Sequence, residues 1–255
     1  MSLLDFRLAA LAFTALCAAV AAAAASVTEK FSQTYPLAAD GTVHLDGVNG
    51  AVDITAWDRP EVSLEAEKRA AHQDDLNGIH IDVDSTPARL AIKTRHDKKR
   101  GFLGFGGNIR GEVRYKLMVP AGARLDKIDV VNADITVRGV KGFVNLDTVN
   151  GSIQATGLVA AGRFDTVNGS IKVAYDSFKF DGKVVLDTVN GACRITVPKD
   201  AGFELKADSV NGRIHCDLPI TLERSSRRHL RGTVGRGGPR LTLDSVNGSL
   251  TVNSP

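Results

Sequence analysis

Between Val144 and Ala155, apolar and polar residues alternate in two short runs, Val144-Asn145-Leu146 and Ile153-Gln154-Ala155. Such period-two alternation predicts two half-buried strands, and the intervening Asn150-Gly151 predicts the corner joining them. Asn-Gly tolerates positive φ, which suits a sharp corner. The same phrase, Asp-x-Val-Asn, recurs along the chain. Its Asp–Asn pairs are Asp46/Asn49, Asp129/Asn132, Asp147/Asn150, Asp165/Asn168, Asp187/Asn190, Asp208/Asn211 and Asp244/Asn247. Central copies are 18 to 22 residues apart. A fixed period of this size predicts an all-β solenoid, in which each copy is one coil stacked on the next.

The spacing also marks departures from regularity. The 83 residues from Asn49 to Asn132 hold strand-like alternations such as Ile79-His80-Ile81-Asp82-Val83, and predict degenerate coils or a small capping sheet. Solenoid ends need caps because open strand edges invite aggregation. The expected organisation is therefore a cap with degenerate repeats over 26–118 and regular repeats over 119–255. The 36-residue step from Asn211 to Asn247 places a basic insertion at 218–240.

Arg7 precedes an 18-residue apolar, Ala-rich run, Leu8–Ala25, that ends in small residues. The run reads as a secretory signal peptide cleaved near Ala25 rather than a retained membrane anchor. A periplasmic or secreted location follows. Aromatic residues make up only 5% of the chain, so Val, Ile, Leu and Ala must fill the core, as narrow coils require. Two cysteines lie beyond the leader, Cys193 and Cys216, at repeat positions that carry inward aliphatics elsewhere. They are expected as free buried thiols offset along adjacent coils.

Stacking brings the corner Asn residues into a column, where side-chain amides can bond from coil to coil. The Asp residues form a second column. A bond from each carboxylate to nearby backbone is the expected relief of their repulsion, and calcium shared between coils is the alternative. No other cofactor or metal site is expected, since the six histidines lack metal-ligand spacing. Arg224, Arg227, Arg228, Arg231, Arg236 and Arg240 predict a basic loop for an anionic envelope polymer or lipid, with peripheral membrane contact. Nucleic acid is not expected, because aromatics do not interleave with these bases. The segment Gly101–Gly107 carries Phe102, Leu103 and Phe105, either a lid over the solenoid end or a membrane-interface loop. The glycines from Gly232 to Gly238 lack the Lys-Ser or Lys-Thr of a phosphate loop and predict a hairpin turn.

The phrase Asp-Thr-Val-Asn-Gly-Ser-Ile (Asp147–Ile153, Asp165–Ile171) and the run Val52–Asp58 are accompanied by two segments that lead into repeats, Val119–Gly122 and Val197–Gly202. With the glycine-rich Gly232–Pro239, these make residues 27–252 resemble a bacterial β-strand-repeat family of candidate adhesins, domain of unknown function 4097. The resemblance implies an exported β-solenoid without an established enzymatic activity, and brings no catalytic residues. The expected function is non-enzymatic: binding or organising envelope surfaces. An accessory protein for an envelope protein partner is the alternative, and a polysaccharide-active enzyme the third possibility.

Overall fold

The computed structural model describes residues 26–97 and 111–255. The expected leader at 1–25 and the loop residues Phe102, Leu103 and Phe105 lie outside them. Nineteen strands and one helical turn are described. The N-terminal part comprises β1 (Val27–Pro36), β2 (Thr42–Trp57), β3 (Glu61–Ala70), α1 (Gln73–Asn77), β4 (Ile79–Thr86), β5 (Arg89–His96) and β6 (Gly111–Pro120). The regular coils follow as β7 (Arg124–Arg138), β8 (Val144–Asn150), β9 (Ile153–Leu158), β10 (Gly162–Asn168), β11 (Ile171–Tyr175), β12 (Lys183–Asn190) and β13 (Cys193–Thr196). The chain continues through β14 (Phe203–Asn211), β15 (Ile214–Cys216), β16 (Ile220–Ser225), β17 (His229–Val234), β18 (Arg240–Asn247) and β19 (Leu250–Asn253).

The fold is a two-walled β-solenoid. Strands ending at the Asn form the first wall, in the order β4-β5-β2-β7-β8-β10-β12-β18-β14-β17-β16. Strands following the corner form the second, β1-β3-β6-β2-β7-β9-β11-β13-β19-β15. β2 and β7 run through the corner and serve both walls. Central neighbours are parallel, whereas the added strands β4, β3, β1, β17 and β16 are antiparallel. β16 and β17, where a basic loop was expected, form a hairpin at one end of the stack, and β4, β3 and β1 lie at the other. β5 and β6 form the degenerate coil, and α1 plugs that end with the fully buried Leu76. The expected boundary at 118/119 falls inside β6, and one hydrophobic cluster runs from Leu37 to Val252.

The stacking order departs from the chain order. β18 lies between β12 and β14, and β19 between β13 and β15. The Asn247 coil is thus inserted between those of Asn190 and Asn211. The two cysteines are free, Cys193 buried and Cys216 partly so. They are not on adjacent coils: Cys193 pairs with Leu250 and Cys216 with Val252, so β19 runs between them. Two strand spacings amount to about 9.6 Å, beyond the roughly 7 Å that a disulfide spans between Cα atoms. Among the described residues no helix is long and apolar enough to cross a membrane.

Candidate functional site

The corner carries three ladders. In the first, Asn132 Nδ2 donates to Asn49 Oδ1, and the same bond repeats from Asn150 to Asn132, Asn168 to Asn150, Asn190 to Asn168, Asn247 to Asn190 and Asn211 to Asn247, at 2.7 to 2.9 Å. All seven amides point the same way, and Asn49 ends the chain on the Gly111 carbonyl at 3.3 Å. In the second ladder, Thr148, Thr166, Thr188, Ser245 and Ser209 turn inward and donate to corner carbonyls of the preceding coil at 2.9 to 3.2 Å. The corner glycine is required by that close approach rather than by positive φ. A Cβ at Gly151, Gly169, Gly191, Gly212 or Gly248 would lie within 2.0 Å of a neighbouring coil's carbonyl oxygen. Only Gly50 among the corner glycines has positive φ, 135°.

Since the hydroxyl points in, the next residue must point out. Val48, Val131, Val149, Val167, Val189, Val246 and Val210 therefore stand in an exposed column, from 36% exposed at Val48 to 53% at Val210. Seven rungs at about 4.8 Å give an apolar ridge roughly 29 Å long. These valines carry no motif of their own, although strict alternation from Leu146 and Thr148 places Val149 outside.

The Asp column lies beside this ridge on the outer face of the first wall. Among the described residues its carboxylates do not bond to backbone as expected. Several meet bases: Lys127–Asp129 at 3.5 Å, Arg163–Asp165 at 2.5 Å, Lys206–Asp208 at 3.3 Å and His229–Asp208 at 2.6 Å. Asp147, Asp187 and Asp244 make no ion pair within 4 Å among the described residues. Burial, then the neighbouring Asp129, pushes the Asp147 carboxyl above its ordinary value. Burial does the same to Asp165 despite Arg163, and to Asp244 with help from Asp208 and Asp187. For Asp208, partial burial is outweighed by hydrogen bonds from His229 and Lys206, which hold it below the ordinary range. Among the described residues no three acids, histidines or cysteines gather as a metal-ligand cluster.

The six arginines do not form one patch. Arg231 pairs with Glu223 at 3.0 Å and Arg240 with Glu204 at 3.7 Å, both on the outer face of the first wall. Arg236 lies at the opposite corner. There it lines a cleft of about 630 Å³ with Phe178, Phe180, Lys179 and Asp200. Arg224, Arg227 and Arg228 sit at the tip of the β16–β17 hairpin, exposed and without an ion pair among the described residues. Arg213, at the last corner, faces Arg227 across a second cleft of about 560 Å³ lined by Gly212, Arg213, Ile214, Ser226 and Arg227. Arg213 gives no signal in the sequence, because it lies outside the basic run and meets it only by folding.

The family model Toastrack, domain of unknown function 4097, matches residues 127–253. No curated protein matches the chain. Solved structures that the chain is similar to include a candidate cell adhesion protein from Clostridium sporogenes, 10% identical with a TM-score of 0.37, covering 89% of this chain and 100% of that one. A candidate adhesin from Bacteroides fragilis is 11% identical with a TM-score of 0.35, covering 89% and 97%. A candidate lipid-binding protein from Parabacteroides distasonis is 10% identical with a TM-score of 0.30, covering 89% and 96%.

Proposed function

This chain belongs to the Toastrack family, and we propose from that premise that it is an exported, non-enzymatic, adhesin-like module binding anionic surfaces of the bacterial envelope. One observation carries this reading: Arg213, Arg224, Arg227 and Arg228 gather at one end of the stack with no acidic partner among the described residues. The ligand chemistry is a dense array of phosphates or carboxylates, from lipid headgroups or an acidic polysaccharide. Contact is end-on, because the wall beside Arg231 and Arg240 carries the Asp column, which repels an anionic surface. The rigid coils act as a spacer that presents this end.

Co-sedimentation of residues 26–255 with isolated envelope fractions across a salt series tests the reading. Binding should fade with salt, as exposed charge contacts are screened. It should vanish on joint reversal of Arg224, Arg227 and Arg228 to Glu. Vesicles with anionic lipid and purified acidic polysaccharide, run as separate arms, distinguish the two sources. Absence of binding at any salt, or full binding by the reversed variant, overturns it.

A further inference from the structure

At the hairpin end the two walls stop at different levels. The first wall continues past β14 with β17 and β16, whereas the second stops at β15. Phe203 pairs with Val234, Leu205 with Gly232 and Ala207 with Leu230, so Val234, Gly232 and Leu230 face the core side. Beyond them Ile220 pairs with Val234 and Leu222 with Gly232, continuing the same inward columns. Among the described residues no strand of the second wall stands opposite them. Leu222 is 54% exposed in consequence, the most exposed large apolar side chain among those described.

The edge of β15 is open as well. Leu250 N–H donates to the Arg213 carbonyl at 2.9 Å and Asp217 N–H to that of Val252 at 2.9 Å. Parallel pairing alternates, so the N–H and C=O groups of Ile214 and Cys216 point away from β19, toward a side where no strand is paired among the described residues. That side is the 560 Å³ cleft roofed by Ser226 and Arg227. An open edge, an uncovered apolar overhang and two unpaired guanidinium side chains thus converge on one step.

We propose that this step is a β-augmentation site for an extended acidic segment of a protein partner. The incoming strand would hydrogen-bond to Ile214 and Cys216. Its alternate apolar side chains would cover Leu222, Leu230 and Ile220, and its acidic side chains would meet Arg213 and Arg227. Charge complementarity selects the acidic partner: Arg213 and Arg227 line the step, while its near acids, Glu223 and Asp217, already pair with Arg231 and His215. The site shares arginines with the envelope-binding reading but adds a main-chain edge that the reading does not need.

The test uses residues 26–255 and a short dye-labelled peptide of strictly alternating Val and Glu, followed by fluorescence anisotropy. Saturable binding is expected, with the Ile214 and Cys216 amides gaining protection from hydrogen exchange. Ile214→Pro, which removes an edge donor while sparing every arginine, should weaken binding about tenfold. The double reversal R213E/R227E keeps the backbone intact and should abolish it, and a Val-Lys peptide should not bind. Wild-type melting temperatures in both variants show that the coils persist; if Ile214→Pro unfolds, the amide protection and R213E/R227E decide. No saturable binding overturns the proposal. So does binding unchanged by Ile214→Pro, which would leave ionic attraction to the arginines and the envelope reading standing. Self-association through this edge in sedimentation, blocking the peptide, also overturns it by assigning the step to a second copy.

Discussion

Replacing Asn168 by Ala removes two ladder bonds at once, its own to Asn150 and that from Asn190, each 2.8 Å long. Replacing Asn211 removes one, the 2.9 Å bond to Asn247 at the end of the row. Both side chains are exposed, so water compensates the orphaned partners and each bond contributes toward the low end of the range, about 0.5–1 kcal/mol. Asn168→Ala should therefore cost about 1–2 kcal/mol and Asn211→Ala about half that. Coil energies in a stack add by nearest-neighbour contacts, so the difference survives subtraction of whatever a corner Ala costs by itself. In a protein of this size about 1 kcal/mol moves the melting temperature by roughly 2–4 °C. Circular dichroism melts of the two variants, read as a pair, give the measurement. Equal shifts would refute the claim that amide bonds between coils stabilise the stack, whatever their geometry.

Gly191→Ala places a Cβ 1.8 Å from the Gly169 carbonyl oxygen, and backbone cannot step aside locally; a loss of about 3 kcal/mol is expected, visible in urea denaturation. The raised Asp147, Asp165 and Asp244 carboxyls bind protons more tightly folded than unfolded, so stability should fall as pH rises from the unfolded value near 3.8 through their higher folded values. Asp244→Asn should raise the melting temperature at neutral pH by relieving a like-charge contact of about 0.2–1 kcal/mol, an advantage that disappears in acid melts. Thiol titration should find both cysteines of residues 26–255 on denaturation and Cys193 silent in the native protein, with a melting temperature indifferent to reductant.

The coils were legible because a single phase runs through each repeat: Leu146, Ile153 and Ala155 point in, and Asn150-Gly151 turns the corner. The amide ladder followed from that phase, since stacked parallel coils bring identical residues together. The role of Gly151 was not legible, because a carbonyl approaching from another coil leaves no mark in local sequence. Nor was the slot of the Asn247 coil. Asp208 and Asp244 sit in nearly identical phrases, so either coil could stack on the Asn190 coil, and the long step between them records an insertion without its direction. The arginines of one run were expected together, yet cross-strand pairing to Glu223 and Glu204 and the corner at Arg236 dispersed them.

The inserted Asn247 coil imposes an order of events on the chain as it emerges. β14 pairs only with β17 and β18 among the described strands, so until residues 240–253 follow, residues 198–239 share no strand pairing with the earlier coils and hold to them through contacts such as that of the Phe203 and Phe178 rings. The later segment is a keystone, slid between two coils made before it. A stop codon just after Pro239 would therefore remove one coil and, with it, the strand pairing that ties the Asn211 coil and the hairpin to the stack, and the basic end of the molecule closes in its native place only when translation has passed beyond it.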